Sequence, residues 1–287
     1  MRGAGCDDPV RGGPQPAATG PGPAPRQSGR HLAAGKAIDP YLSSSPALVM
    51  LYLADPVEEQ ALHMVNADPR RTPSFTYFGL PDYFLSTFNT NCPTAAATCV
   101  DYHFAWSHGD ATADIGTTWL GIVGPGVKHL GQTSRTWSDH TDLRPTILAL
   151  AGLKDSYEED GVVLTDFLRS SALPRGQRHD GESLHELTTV YKQVTAPFGD
   201  YGHNTLLAST SAVASGSAAD DSHYVSVENQ LSTLTSERDA LAAKMRTALN
   251  NAAFGTGGPA SQRDLESMIE QGHNILEKAA ELARGEE

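Results

Sequence analysis

The stretch WSHGDATADIGTTWLGIVGPGVKHLGQTSRTWSDHTDLRPTILALAGL, Trp106 to Leu153, decides the fold class of this chain. Inside it TTWLGIV, residues 117 to 123, is a continuous apolar run stopped by Gly124-Pro125-Gly126. Strands buried on both faces read this way, without the alternation of a half-solvated strand. Downstream, Asp139 or Thr141 can cap a helix over residues 142 to 151. Pro145 is tolerated there because first-turn amides have no intrahelical acceptor, and Gly152 closes the helix.

Working outward, ALVMLYLA, residues 47 to 54, is a second apolar run of strand length. Asp55 as N-cap, Pro56 at the first helical position and Glu58 and Glu59 in the first turn predict a helix running to about Asn66, with Leu62 and Val65 on one side. SFTYFG, residues 74 to 79, predicts another strand before Leu80-Pro81-Asp82. Residues 101 to 105 predict a strand that delivers His108 to its end, and residues 162 to 168 a last strand or short helix. Strand, helix, strand is the α/β signature, here with parallel strands.

The flanks differ in style. Residues 1–39 form a Gly/Pro-rich tail without apolar period, expected to be disordered. Residues 40–173 hold the α/β part, and residues 174–222 are polar and small, expected to be linker-like with little packed helix. In residues 223–287, Val227, Leu231, Leu234, Leu241, Met245 and Ala248 recur at spacings of four and three, with Arg238 at the skipped seam position. After a GTGGP break, Ser261 and Asp264 resemble a capping box, and Leu265, Met268, Ile269, Ile275, Leu276 and Leu282 line a second helix. The pair is expected to form an antiparallel hairpin, a surface for self-association if it is not covered within the chain.

With 34 acidic and 21 basic side chains among 287 residues, the net charge is -13. Nucleic acid and anionic membranes call for a basic face, so neither is an expected partner. There is no apolar run long enough for a membrane span and no signal-peptide core at the N-terminus. Cys92 and Cys99 flank CPTAAATC, while Cys6 stands apart. A disulfide closing the loop and two independent thiols both fit that spacing; the disulfide would place maturation outside the cytosol.

Two patches carry candidate chemistry. His108, followed by Gly109 and Asp110, is a candidate metal ligand, because an imidazole at a strand end beside a glycine lets an ion and backbone approach. On its own such a histidine fits a structural role as readily. Asp101, His103 and Asp114 add donors without a spacing that fixes a geometry. Asp139-His140-Thr141-Asp142 stands at a helix start, where oxygen-bearing side chains serve as caps; the alternative is His140 as a metal ligand or general base.

WSHGD, TTWLGIVGPGV and SDHTDLRPTILALAGL, with LADPVEEQALHMVNADPRRTPSFTYFGLPDYF upstream, resemble the C-terminal half of the phosphodiesterase and sulfatase-like branch of the alkaline phosphatase superfamily, over roughly residues 47 to 170. The resemblance implies a fold class of α/β, with a partial alkaline-phosphatase-like central sheet, flanking helices and the C-terminal helical hairpin. It also implies two metal ions, usually zinc, and a Ser or Thr nucleophile that attacks a small phosphate or sulfate ester. His108 takes the place of the family's late metal-binding histidine. The nucleophile and the other ligand pairs belong to the family's N-terminal half, for which residues before Ala47 have the wrong composition, so no catalytic residue is assigned. Asp55 suits an N-cap better than the family's early aspartate.

The resulting expectation is a truncated member of this hydrolase superfamily, inactive or nearly so by itself, or a piece of a product continued elsewhere. Half a sheet would leave an exposed edge and an uncovered apolar face. The alternative is a non-catalytic binding or assembly module acting through its C-terminal amphipathic helices.

Overall fold

A computed structural model describes residues 36–37, 47–48, 50–80, 111–154, 157–178, 181–215, 220–255 and 260–286. His108 lies outside them, as do Asp101, His103 and Asp110, the strand expected at 101–105, the three cysteines and most of the 1–39 tail. The described residues are mostly helical, with two small sheets and a set of C-terminal helices.

Both sheets are antiparallel pairs, which corrects the expected parallel arrangement. β1 (Lys36–Ala37) pairs with β2 (Ala47–Leu48), and β3 (Met50–Ala54) pairs with β4 (Thr76–Gly79), with Ala54 opposite Thr76. Lys36 and Ala37 thus form a short strand inside the segment expected to be a featureless tail. The helix after β3, α1 (Pro56–Ala61), has six residues and ends well before Asn66, with His63 at φ 57. Six residues rise only about 9 Å, while a five-residue strand spans about 16 Å, so α1 cannot carry the chain back for a parallel crossover. The chain therefore re-enters β4 beside the end of β3.

The run of residues 117 to 123 departs furthest from its expected buried strand. It follows a one-turn helix, α2 (Ala113–Gly116), and belongs to no strand. Trp119 is 90% and Val123 98% exposed, and within the run Ile122 alone is partly covered, against the small core of Val127, Val163 and Leu168. A strand holds its shape where neighbours satisfy its backbone, and no strand among the described residues does so for this run. Beyond Gly126 the chain rejoins the body. Val127 bridges Leu168, the Lys128 amide donates to the Phe167 carbonyl at 2.7 Å, and the Arg169 amide donates to the Gly126 carbonyl at 2.7 Å. Residues 162 to 168 are accordingly a buried extended piece leading into a 3-10 turn, Thr165–Phe167. The helix expected after Asp139 is α3 (Leu143–Ala151), closed by Gly152 at φ 66, a left-handed position that favours glycine.

Residues 174–222 are not linker-like. They hold α4 (Gly181–Thr195) and α5 (Asp200–Ser215). Leu184, Leu187, Val190, Tyr191 and Val194 bury one face of α4, and α5 buries Tyr201, Thr205, Ala208, Ser209 and Ala212. The small, partly polar residues that lower the hydrophobic content of α5 let neighbouring helices approach closely.

The expected C-terminal hairpin is present as α6 (Ser222–Phe254) and α7 (Gln262–Arg284), with Ser261 accepting from the Asp264 amide at 3.2 Å as cap. It is antiparallel: Gly272 abuts Met245, while further along α7 Lys278 reaches Glu237, earlier in α6. It does not stand alone. The apolar stripe, including Leu231, Met245 and Leu265, is covered within the chain, where α7 lies against α4, α5 and α6. A Cβ at Gly272 would lie 2.3 Å from Val190 Cγ1 and 3.0 Å from Met245 Cε. Gly272→Val therefore overpacks the crossing of α4, α6 and α7, and denaturant titration is expected to show a loss of about 1–3 kcal/mol.

Candidate metal centre

Asp55 ends β3 and caps α1 as expected, through a capping box in which the Glu58 side chain accepts from the Asp55 amide at 3.0 Å. Such boxes usually sit in water, but this one is closed over. Asp55, Glu58 and Glu59 are all essentially buried, because α5 and α6 cover the start of α1.

Helix α6 delivers two side chains to the box. Tyr224 and Glu228 are one turn apart and so share a face. The Tyr224 hydroxyl donates to Asp55 Oδ2, and the Ser209 hydroxyl of α5 donates to Glu228 Oε1 at 2.8 Å. Asp55, Glu58 and Glu228 each place one oxygen within 4.8 Å of the others. Glu58 Oε1 and Glu228 Oε2 have no hydrogen-bond partner among the described residues, and neither side chain forms an ion pair there.

Charge follows from this geometry. Burial, reinforced by the charges of Glu228 and Asp55, pushes the Glu58 carboxyl well above its ordinary range. Burial also raises Glu228 to about 8, against the hydrogen bond from Ser209 and with the Asp55 charge adding to the rise. Glu59, which accepts from Thr76 Oγ1 at 2.8 Å, is raised by burial as well. At neutral pH Glu228 therefore favours an added proton or another positive charge over bare ionisation, and burial biases Glu58 and Glu59 in the same direction.

The second acidic patch is structural. Asp139 caps the turn His140–Asp142 by accepting from the Thr141 amide at 2.8 Å, and Asp142 Oδ1 accepts from the Val162 amide at 2.8 Å. The buried Lys192 ammonium of α4 donates to Asp139 at 2.6 Å and to Asp142 at 3.0 Å. Burial pulls the Asp139 carboxyl up, but the Lys192 hydrogen bond and charge, with the Thr141 donors, hold it below its ordinary value. His140 points into solvent. The patch thus joins the start of α3 to α4, as its reading as a cap implies.

Among the described residues no histidine or cysteine joins a group of metal-ligand spacing; Asp55, Glu58 and Glu228 are the group that converges. Asp114 lies in α2, and His108 is outside the described residues, so a zinc centre around it is not assembled from what is described. Three carboxylates do not make the nitrogen- or sulfur-rich set that zinc prefers. In the sequence Asp55 reads as an N-cap in preference to the family's early aspartate, and Glu58 as a first-turn acid. The legible signal was Glu228, an acid spaced four from Tyr224 and three from Leu231 on the buried face of α6. Arg238, at the skipped seam position, is a second buried charge and stacks over the Tyr201 ring at 5.1 Å. No protein-family model matches the chain, and no curated protein and no solved structure matches it.

Proposed function

We propose that this chain contributes the late part of a metal-dependent phosphoester or sulfate-ester hydrolase fold and does not turn over substrate by itself. One observation carries the reading: the bare apolar run of residues 117 to 123, with Trp119 and Val123 almost fully exposed. Bulky apolar residues on both sides of an extended segment suit a strand in the middle of a covered sheet. An uncovered apolar run of this kind is what a resemblance confined to the late half of an alkaline-phosphatase-like sheet implies.

The absence of turnover follows from ligand chemistry. His108 is the one residue that the resemblance assigns to metal, and a catalytic zinc needs about three protein ligands. Zinc therefore supplies no step from the described residues. Incubating the 287-residue chain with a bis-nitrophenyl phosphate ester and Zn²⁺ is expected to give no release of nitrophenolate above buffer. Chelator-sensitive turnover that His108→Ala abolishes would overturn the proposal.

A further inference from the structure

We propose that Asp55, Glu58 and Glu228 form a binding site for one hard divalent cation, of the Mn²⁺ or Ca²⁺ type, which ties β3 and α1 to α6. This site is independent of the hydrolase reading and of His108.

The starting feature is ordinary: an N-cap aspartate and an N3 glutamate at a helix start. What points to a ligand is Glu228, which comes from a helix more than 160 positions later in the sequence and is 5% exposed. Among the described residues its Oε2 has no hydrogen-bond partner, and it meets Glu58, whose Oε1 has none either. Solvent does not reach this space, so water cannot be counted on to satisfy those oxygens. A carboxylate oxygen left unmade in the interior costs more than any neutral acceptor would.

The remaining hydrogen bonds already orient the donors. The Asp55 amide holds Glu58 Oε2, the Ser209 hydroxyl holds Glu228 Oε1 and the Tyr224 hydroxyl holds Asp55 Oδ2. With one oxygen of each glutamate fixed, Glu58 Oε1 and Glu228 Oε2 remain as buried acceptors without a hydrogen-bond partner among the described residues. No pair of ligand atoms is more than 4.8 Å apart. Oxygens on opposite sides of a calcium ion at about 2.4 Å are separated by about the same distance, so the set fits around one ion without large rearrangement. All donors are oxygens, which selects Ca²⁺ and Mn²⁺ over zinc or copper. Full burial makes the role structural: the ion crosslinks elements distant in sequence.

Mn²⁺ titration of the full chain at pH 8, followed by electron paramagnetic resonance, is the test, paired with thermal melts. Expected are one bound Mn²⁺ per chain that Ca²⁺ displaces, and a melting temperature that rises with either ion. Glu228→Gln should abolish both effects while folding normally, since the Ser209 hydroxyl still has an amide oxygen to meet. Glu58→Gln is the second variant and should behave alike, because its amide oxygen can still accept from Asp55. The exposed Glu237→Gln should leave binding intact. Failure of the unsubstituted chain to bind Mn²⁺, or binding that survives both glutamine substitutions, overturns the site.

Discussion

Lys192→Met lowers the unfolding free energy by about 3–5 kcal/mol, the cost of leaving a buried carboxylate without its counter-charge. The Lys192 ammonium is 3% exposed and lies 3.0 Å from an Asp142 carboxylate that is fully buried. Burial pushes the Asp142 carboxyl up by more than the ammonium pulls it down. The intact pair therefore adds little net stability, yet breaking it leaves the buried Asp142 carboxylate with only the neutral amides of Val162 and Asp139 as partners. The asymmetry predicts the double variant. Lys192→Met with Asp142→Asn should lose clearly less than the sum of the single losses, because asparagine still accepts from Val162 without burying charge. Guanidinium unfolding at constant m-value measures both quantities. A loss below about 1 kcal/mol for Lys192→Met would show the pair behaving like a solvated surface bridge.

Lys192 also shows where sequence reading reached its limit. The Asp139 to Gly152 helix start was legible because capping chemistry is local: the residues that satisfy the first amides lie within four positions. The same holds for Asp55 and Pro56, and for the α6–α7 hairpin, whose three-and-four spacing over 33 and 23 residues leaves little ambiguity. Helices α4 and α5 escaped because much of the α5 buried face is Ala, Ser and Thr, residues that also make up linkers. The run of residues 117 to 123 shows a different limit. Its composition states what it needs on both sides, not whether those neighbours are present. The carboxylate cluster was hidden for a third reason, since Glu58 looks like a solvated first-turn acid until α6 closes over it. Only Glu228, an acid on an apolar face, betrayed the site in the sequence.

That cluster sets the pH dependence of the fold: stability should fall as pH rises from about 4.5 to about 8 in the absence of divalent cations. The unfolded chain releases the Glu228 proton near the ordinary value of 4.5, whereas the folded chain keeps it to about 8. Between these limits the native state binds more protons than the unfolded state, so each unit of pH removes about 1.36 kcal/mol. Over the full window Glu228 alone accounts for on the order of 4 kcal/mol, and Glu58, raised by burial and by the same neighbours, acts in the same direction. Asp139, whose carboxyl is held below its ordinary value, works oppositely but only at more acid pH, outside this window. General repulsion in a chain of net charge -13 also grows with pH, so the slope by itself does not identify the source. Glu228→Gln does, because it keeps the packing and the Ser209 contact but removes the titration. Urea unfolding at pH 5, 6.5 and 8 should show a steep decline for the unsubstituted chain and a flattened one for the variant, which should be the more stable of the two at pH 8. Parallel curves would mean that Glu228 ionises as freely in the folded state as in the unfolded one, and the buried cluster would then not be the origin of the decline.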